Sequence, residues 1–140
     1  GCTGLEYVDF VNITKISGST GATGSSGCPL HYTNIKDLYL PNLTEVGFAA
    51  FNYNRGKLWK GSTITIGDKL TTISDQKAFT TQGISIKLLA EVPPTGSELV
   101  TDYSGNALIY VPDEAVDNYK AAPVFANWVS RIKPLSECPW

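Results

Sequence analysis

The chain reads as an α/β repeat: a solenoid of short strands and loops closed by a helical C-terminal cap. Three observations predict this. An apolar phrase recurs, first as residues 5–16, then as 35–46, then as 62–73 with one residue inserted before Leu70. Pairs of the form apolar–x–apolar recur along the chain at Val8/Phe10, Leu38/Leu40, Ile64/Ile66, Ile86/Leu88 and Ile109/Val111. After the last pair the pattern changes to helix signals. A lone strand and turn cannot bury its apolar face, whereas stacked copies can. Such a stack offers a broad, laddered surface, better suited to holding a partner than to enclosing a reaction.

The alternation in each pair points its members inward and their neighbours outward. First members are spaced by 30, 26, 22 and 23 residues. The short steps set the bare coil length, and the longer ones imply insertions that map to loops. The first insertion, residues 17–27, is almost all Gly, Ser and Thr and predicts a flexible surface loop. The second, residues 52–61, is rich in aromatic and basic residues. Its Trp59 either packs on the coil below or is offered to a ligand, and packing is favoured.

A second apolar stripe follows each strand: Ile13/Ile16, Leu43/Val46 and Leu70/Ile73. Ala50-Phe51 and Ala78-Phe79 then fill the core behind the sheet. Asn12, Asn42 and Asp68 stand at turns between strand and stripe, where short polar side chains bond the local backbone. The segment from Pro112 to Ala122 opens with Pro and two acids and carries Lys120 near its end, the signature of a helix. Pro123 interrupts it, and residues 124–129 predict a second helical turn. Val116, Tyr119, Phe125 and Trp128 are the expected core of this cap, which closes the open apolar end of the stack.

With 140 residues, 42% apolar and 17% charged, the chain suits one folded domain. A net charge of −2 with scattered basic residues gives no footprint for nucleic acid. No apolar run approaches the ~20 residues that span a bilayer, so membrane insertion by these residues is not expected. The chain opens in mid-repeat at Gly1-Cys2, which predicts coils truncated at the N-terminus over 1–111, a cap over 112–135 in the same domain, and a tail over 136–140. The uncapped first coil can pair edge to edge with a second copy. Cys2 and Cys28 each follow a Gly and precede a strand. They read as small buried side chains or as a disulfide between neighbouring coils. Cys138 reads as an exposed or frayed thiol.

No catalytic residue, metal or cofactor is indicated. The single His, His31, stands three residues after Cys28, but no second Cys/His pair completes a zinc site. No third group orients a Cys–His nucleophile, and no phosphate-binding glycine motif is present. The acids Asp113, Glu114 and Asp117 are explained by the helix start. Asn12-Ile13-Thr14 and Asn42-Leu43-Thr44 match glycosylation acceptors but occupy a repeat turn, so they read as structural.

The order of these motifs resembles the bacterial surface leucine-rich repeat proteins of the BspA-like type. The opening Gly1-Cys2-Thr3-Gly4-Leu5 through Phe10, the run Leu38–Phe51 with Pro41 and Gly47, and the ending carry the resemblance. In the ending these are Leu88–Pro94, Ala107–Pro112, Val116–Ala122, Trp128 and Arg131–Pro134. The chain departs from the family in the loop after Ile16, in the lengthened second coil and in lacking the Cys that follows Ala-Phe. The resemblance implies a leucine-rich repeat solenoid, mainly of short parallel strands and loops. It also implies a secreted or cell-surface protein of a Gram-negative anaerobe, with adhesion or protein binding as its role and no catalytic motif.

The outer face of the sheet is then the candidate site. Its central ladder is Asp9, Tyr39, Thr65, Lys87 and Tyr110, and the flanking ladder includes Tyr7 and Asp37. Tyr supplies large contact area at low entropic cost, although aromatic and Thr residues also simply favour strands. Three readings are carried: a protein-binding or adhesion module for a ligand on host or neighbouring cells, a structural spacer, and a glycan-binding module stacking sugars on Trp59, Tyr7 and Tyr39.

Overall fold

The computed structural model describes residues 10–17, 37–47, 50, 63–75, 78, 85–99 and 106–140. Within them the chain is α/β, with nine short strands in two parallel sheets and little helix. The strands are β1 (Lys15–Ile16), β2 (Asp37–Leu40), β3 (Glu45–Val46), β4 (Thr63–Ile66), β5 (Thr72–Ile73), β6 (Ile86–Leu88), β7 (Thr95–Gly96), β8 (Ile109–Val111) and β9 (Ile132–Pro134). One sheet has the order β2-β4-β6-β8-β9 and the other β1-β3-β5-β7. Successive strands therefore alternate between sheets as far as β8.

The register follows the repeated pairs. Leu38 stands beside Ile64, Ile64 beside Ile86, and Ile86 beside Ile109. Leu40 stands beside Ile66, and Ile66 beside Leu88. The pairs from Leu38/Leu40 to Ile109/Val111 are all buried. The second stripe supplies the other side of the same core, with Ile16, Val46 and Ile73 in register in the two-residue strands. Leu43, Leu70, Ala50 and Ala78 are buried with them. The next position in that register is Gly96, at φ +126°, where an added Cβ would lie 2.0 Å from the Ile73 carbonyl oxygen. A side chain fits there neither sterically nor conformationally. Gly67, at the exit of β4, is under a similar constraint: its Cβ would meet the Pro41 carbonyl oxygen at 2.2 Å.

The turns are tied to one another. Thr44 donates its backbone N–H and its hydroxyl to the Thr14 carbonyl, at 2.8 and 2.9 Å. Thr71 does the same to Thr44, at 3.0 and 3.3 Å, and Thr95 to Thr71, at 2.9 and 3.5 Å. Asn42 departs from its sequence expectation of a bond to its own backbone. Its amide donates to the Val11 carbonyl at 2.7 Å, and its oxygen accepts from Lys69. The turn is too close to its neighbours for Asn42 to remain local, and the side chain links three successive turns.

The end of the chain follows the helical expectation with two additions. A 3-10 turn, Asp113–Ala115, leads into helix α1, Val116–Ala121, with acids in the first turns and Lys120 in the last. Ala122 is extended at φ −74° and ψ 129°, as the residue before a proline tends to be. Pro123–Arg131 then forms 3-10 turns broken at Phe125. Tyr119, Phe125 and Trp128 are buried, while Val116 packs against the core from a half-buried position. The additions are β9, which extends the larger sheet beside β8, and a last 3-10 turn at Leu135–Glu137.

Candidate binding face

Parallel pairing sets one continuous row across the outside of the larger sheet: Tyr39, Thr65, Lys87, Tyr110 and Lys133. At about 4.8 Å per strand, this row is roughly 19 Å long. It is rigid because the positions from Tyr39 to Tyr110 are each flanked by buried neighbours on their own strands. Tyr39 is 56% exposed, the most open of the row's aromatic residues. Beside it, Thr63 donates a hydrogen bond to Asp37 Oδ1 at 2.8 Å, holding the carboxylate toward the sheet. Thr65 and Lys87 are half-buried.

Tyr110 departs from its expected exposure. It is only 5% exposed, because residues 135–140 fold back over it. The Trp140 ring meets Tyr110 edge to face, with centroids 5.4 Å apart and planes at 85°. Lys87 Nζ lies 5.2 Å from the centroid of the same indole and donates to the Trp140 carbonyl oxygen. Burial, and secondarily the Cys138 and Glu137 groups nearby, push the Tyr110 phenol above its ordinary pKa.

The tail is anchored upstream. The Ser136 N–H donates to Asp113 Oδ1 at 3.0 Å, and Ser136 holds the Asp113 carboxyl below the usual carboxylate range. Lys133 and Glu137 pair at 3.7 Å. Cys138 is consequently half-buried, its N–H bonded to the Leu135 carbonyl at 2.9 Å, rather than the exposed or frayed thiol expected from its position. Nothing in the sequence pattern links the tail to the sheet face. The remaining clue was compositional: an aromatic residue at the end of an otherwise polar segment.

The structure thus brings Asp37, Tyr39, Thr65, Lys87 and Tyr110 onto one face and closes one end of it with Trp140. Tyr7, Asp9 and Trp59 lie outside the described residues, as do Cys2, Cys28 and His31. On the turn side, a shallow groove of about 620 Å³ is lined by Asp68, Leu70, Thr71, Glu91, Val92 and Thr95, among others. Among the described residues, no group of three or more His, Cys, Asp or Glu side chains is placed to hold a metal ion. No helix among them is long and apolar enough to cross a membrane.

Comparison with protein-family models returned no match, and comparison with curated proteins likewise found no matching sequence.

Proposed function

We propose that the chain is a leucine-rich repeat solenoid with a helical cap, acting as a non-catalytic binding module at the cell surface or after secretion. Its partner is a protein ligand on a host or neighbouring cell, held by the outer face of the larger sheet. The observation that carries this reading is Tyr39, 56% exposed on a rigid strand and in register with Thr65 and Lys87. A solvent-facing Tyr beside a hydroxyl and an ammonium offers area, donors and charge with little ordering cost. The strict coil-to-coil register and the turn ladder support the solenoid, and the resemblance to surface leucine-rich repeat proteins supports the location.

The test is binding of the chain to arrayed matrix proteins and glycans, beside Tyr39→Ser and Thr65→Arg variants. Both positions face outward, so the variants are expected to fold as the parent does. Protein binding that both variants lose supports the adhesive face. Loss confined to glycan spots makes the module carbohydrate-binding instead. A folded chain that binds nothing on the array favours the spacer role.

A further inference from the structure

We propose that the seat filled by Trp140 is a recognition site for an aromatic side chain of a partner polypeptide, which the chain's own tail occupies until it is displaced. The proposal rests on the reading of the outer sheet face as a binding surface, and adds to it the chemistry of the ligand and a competitor built into the chain.

The seat has three parts. Lys87 offers a cation to the face of a ring, Tyr110 offers its own ring for an edge-to-face contact, and the Lys87 ammonium also donates to the backbone carbonyl of the residue carrying that ring. A ring beside a backbone oxygen is therefore what the site fits, and an indole suits the cation better than a phenyl ring does. The occupant is held loosely. Trp140 remains 39% exposed, and the 3-10 turn before it buries no residue. Its anchors lie on the surface of the cap: an exposed Lys133–Glu137 pair, and hydrogen bonds from Ser136 and Leu135 to the Asp113 carboxylate. Surface contacts of this kind stabilise little, so the tail can open locally while the core stays folded. Once it opens, Tyr110 and Lys87 extend the row already exposed at Tyr39 and half-exposed at Thr65.

The test is an NMR titration of the isotope-labelled chain and its Trp140→Ala variant with N-acetyl-tryptophanamide, with N-acetyl-leucinamide as the comparison. In the variant, saturable shifts are expected at Lys87 and Tyr110. Binding should be about tenfold tighter than in the parent, whose tail competes, a factor in line with one cation–π and one aromatic pair contact. Adding Lys87→Ala to the variant should abolish the shifts. Equal titration of parent and variant, or equal response to the leucine compound, overturns the proposal. So does a concentration-dependent dimer that Trp140→Ala abolishes, since the seat's occupant is then a second copy's tail. If Tyr39→Ser and Thr65→Arg abolish array binding while Trp140→Ala changes neither array binding nor titration, the face binds and this proposal alone fails. If the titration saturates as expected but the array shows nothing, the seat stands and the surface-adhesion reading fails.

Discussion

One buried oxygen atom, on Tyr119, is among the links from the cap to the sheets, and removing it gives a sharp test of how the stack is closed. Tyr119 is fully buried on α1, and its hydroxyl donates to the Ala90 carbonyl at 2.9 Å, just beyond β6. Tyr119→Phe deletes only that donor. The ring and its tilted contact with Phe125, at 5.1 Å between centroids, are retained. A buried carbonyl that loses such a donor costs about 1–2 kcal/mol. For a domain of this size that corresponds to a fall in Tm of about 4–8 °C. Tyr119→Ala also removes the ring and should cost about 3–5 kcal/mol. Urea denaturation followed by tryptophan fluorescence and by far-UV circular dichroism measures both. A Phe variant as stable as the parent would show that the Tyr119 bond does not hold the cap. A Phe variant as damaged as the Ala variant would show that the ring does not keep its place without the hydroxyl.

The same residue predicts a dependence on pH whose sign is fixed. Burial pushes the Tyr119 phenol well above its ordinary value, and that of Tyr110 in the same direction. An unfolded phenol ionises near pH 10, whereas the folded chain keeps its proton. Above pH 10 the unfolded state therefore binds fewer protons, and stability falls as pH rises, by about 1.4 kcal/mol per pH unit while Tyr119 stays neutral. Below pH 10 this contribution is fully present. In Tyr119→Phe the alkaline limb should be shallower than in the parent, and parallel limbs would refute burial of this phenol.

Other outcomes follow from the same geometry. Gly67→Ala drives a Cβ into the Pro41 carbonyl, a backbone atom that cannot swing away. It should cost about 3 kcal/mol, at the upper end of overpacking, measured as the shift in urea midpoint at unchanged slope. Leu40→Ala empties a fully buried position on β2 beside Ile66, and should cost about 2–5 kcal/mol by the same measurement. Asp113→Asn removes the charge that Ser136 stabilises. Because that carboxyl sits below its usual range, its contribution is present above the ordinary carboxylate pKa and is lost as pH falls through the lowered folded value. The variant should flatten the acid limb of stability and broaden the Ser136 amide resonance. Tyr39→Ser, on an exposed side chain, should change stability by less than about 0.5 kcal/mol, so any loss of binding in it reports on the face itself.

How much was legible depends on whether a position is set by period or by long-range return of the chain. The inward pairs are a period-two signal, and the burial of Leu38/Leu40, Ile64/Ile66 and Ile86/Leu88 follows from it directly. Register between coils was equally legible, because repeated phrases align like with like, and so were the start of the cap at Pro112 and its interruption at Pro123. Asn42 was misread for a physical reason. In an isolated turn the nearest acceptor of a short amide is its own backbone, but stacked turns bring the Val11 carbonyl from 31 residues away to within 2.7 Å. The tail was not legible at all. Tyr110 has the same alternation as Tyr39, and only a return of the chain at Trp140 distinguishes a covered ring from an open one.

That distinction bears on what a sheet face can recognise. A row of outward side chains on parallel strands has fixed spacing and no depth, so its selectivity must come from what bounds it. Here Asp37, held by Thr63, flanks Tyr39 along its own strand, and Trp140 covers Tyr110. Between them lie Thr65 and Lys87, a short stretch carrying one hydroxyl and one ammonium. On the binding reading proposed above, a ligand meets Tyr39 and Thr65 while the tail is in place. With it displaced, the row gains a second aromatic residue and frees the Lys87 donors from Trp140. The two states differ in the number of aromatic anchors, and anchors of this kind carry most of the energy at protein interfaces. On the proposed reading, affinity for an aromatic-bearing partner and release of the tail are linked, since each proceeds at the expense of the Trp140 contacts.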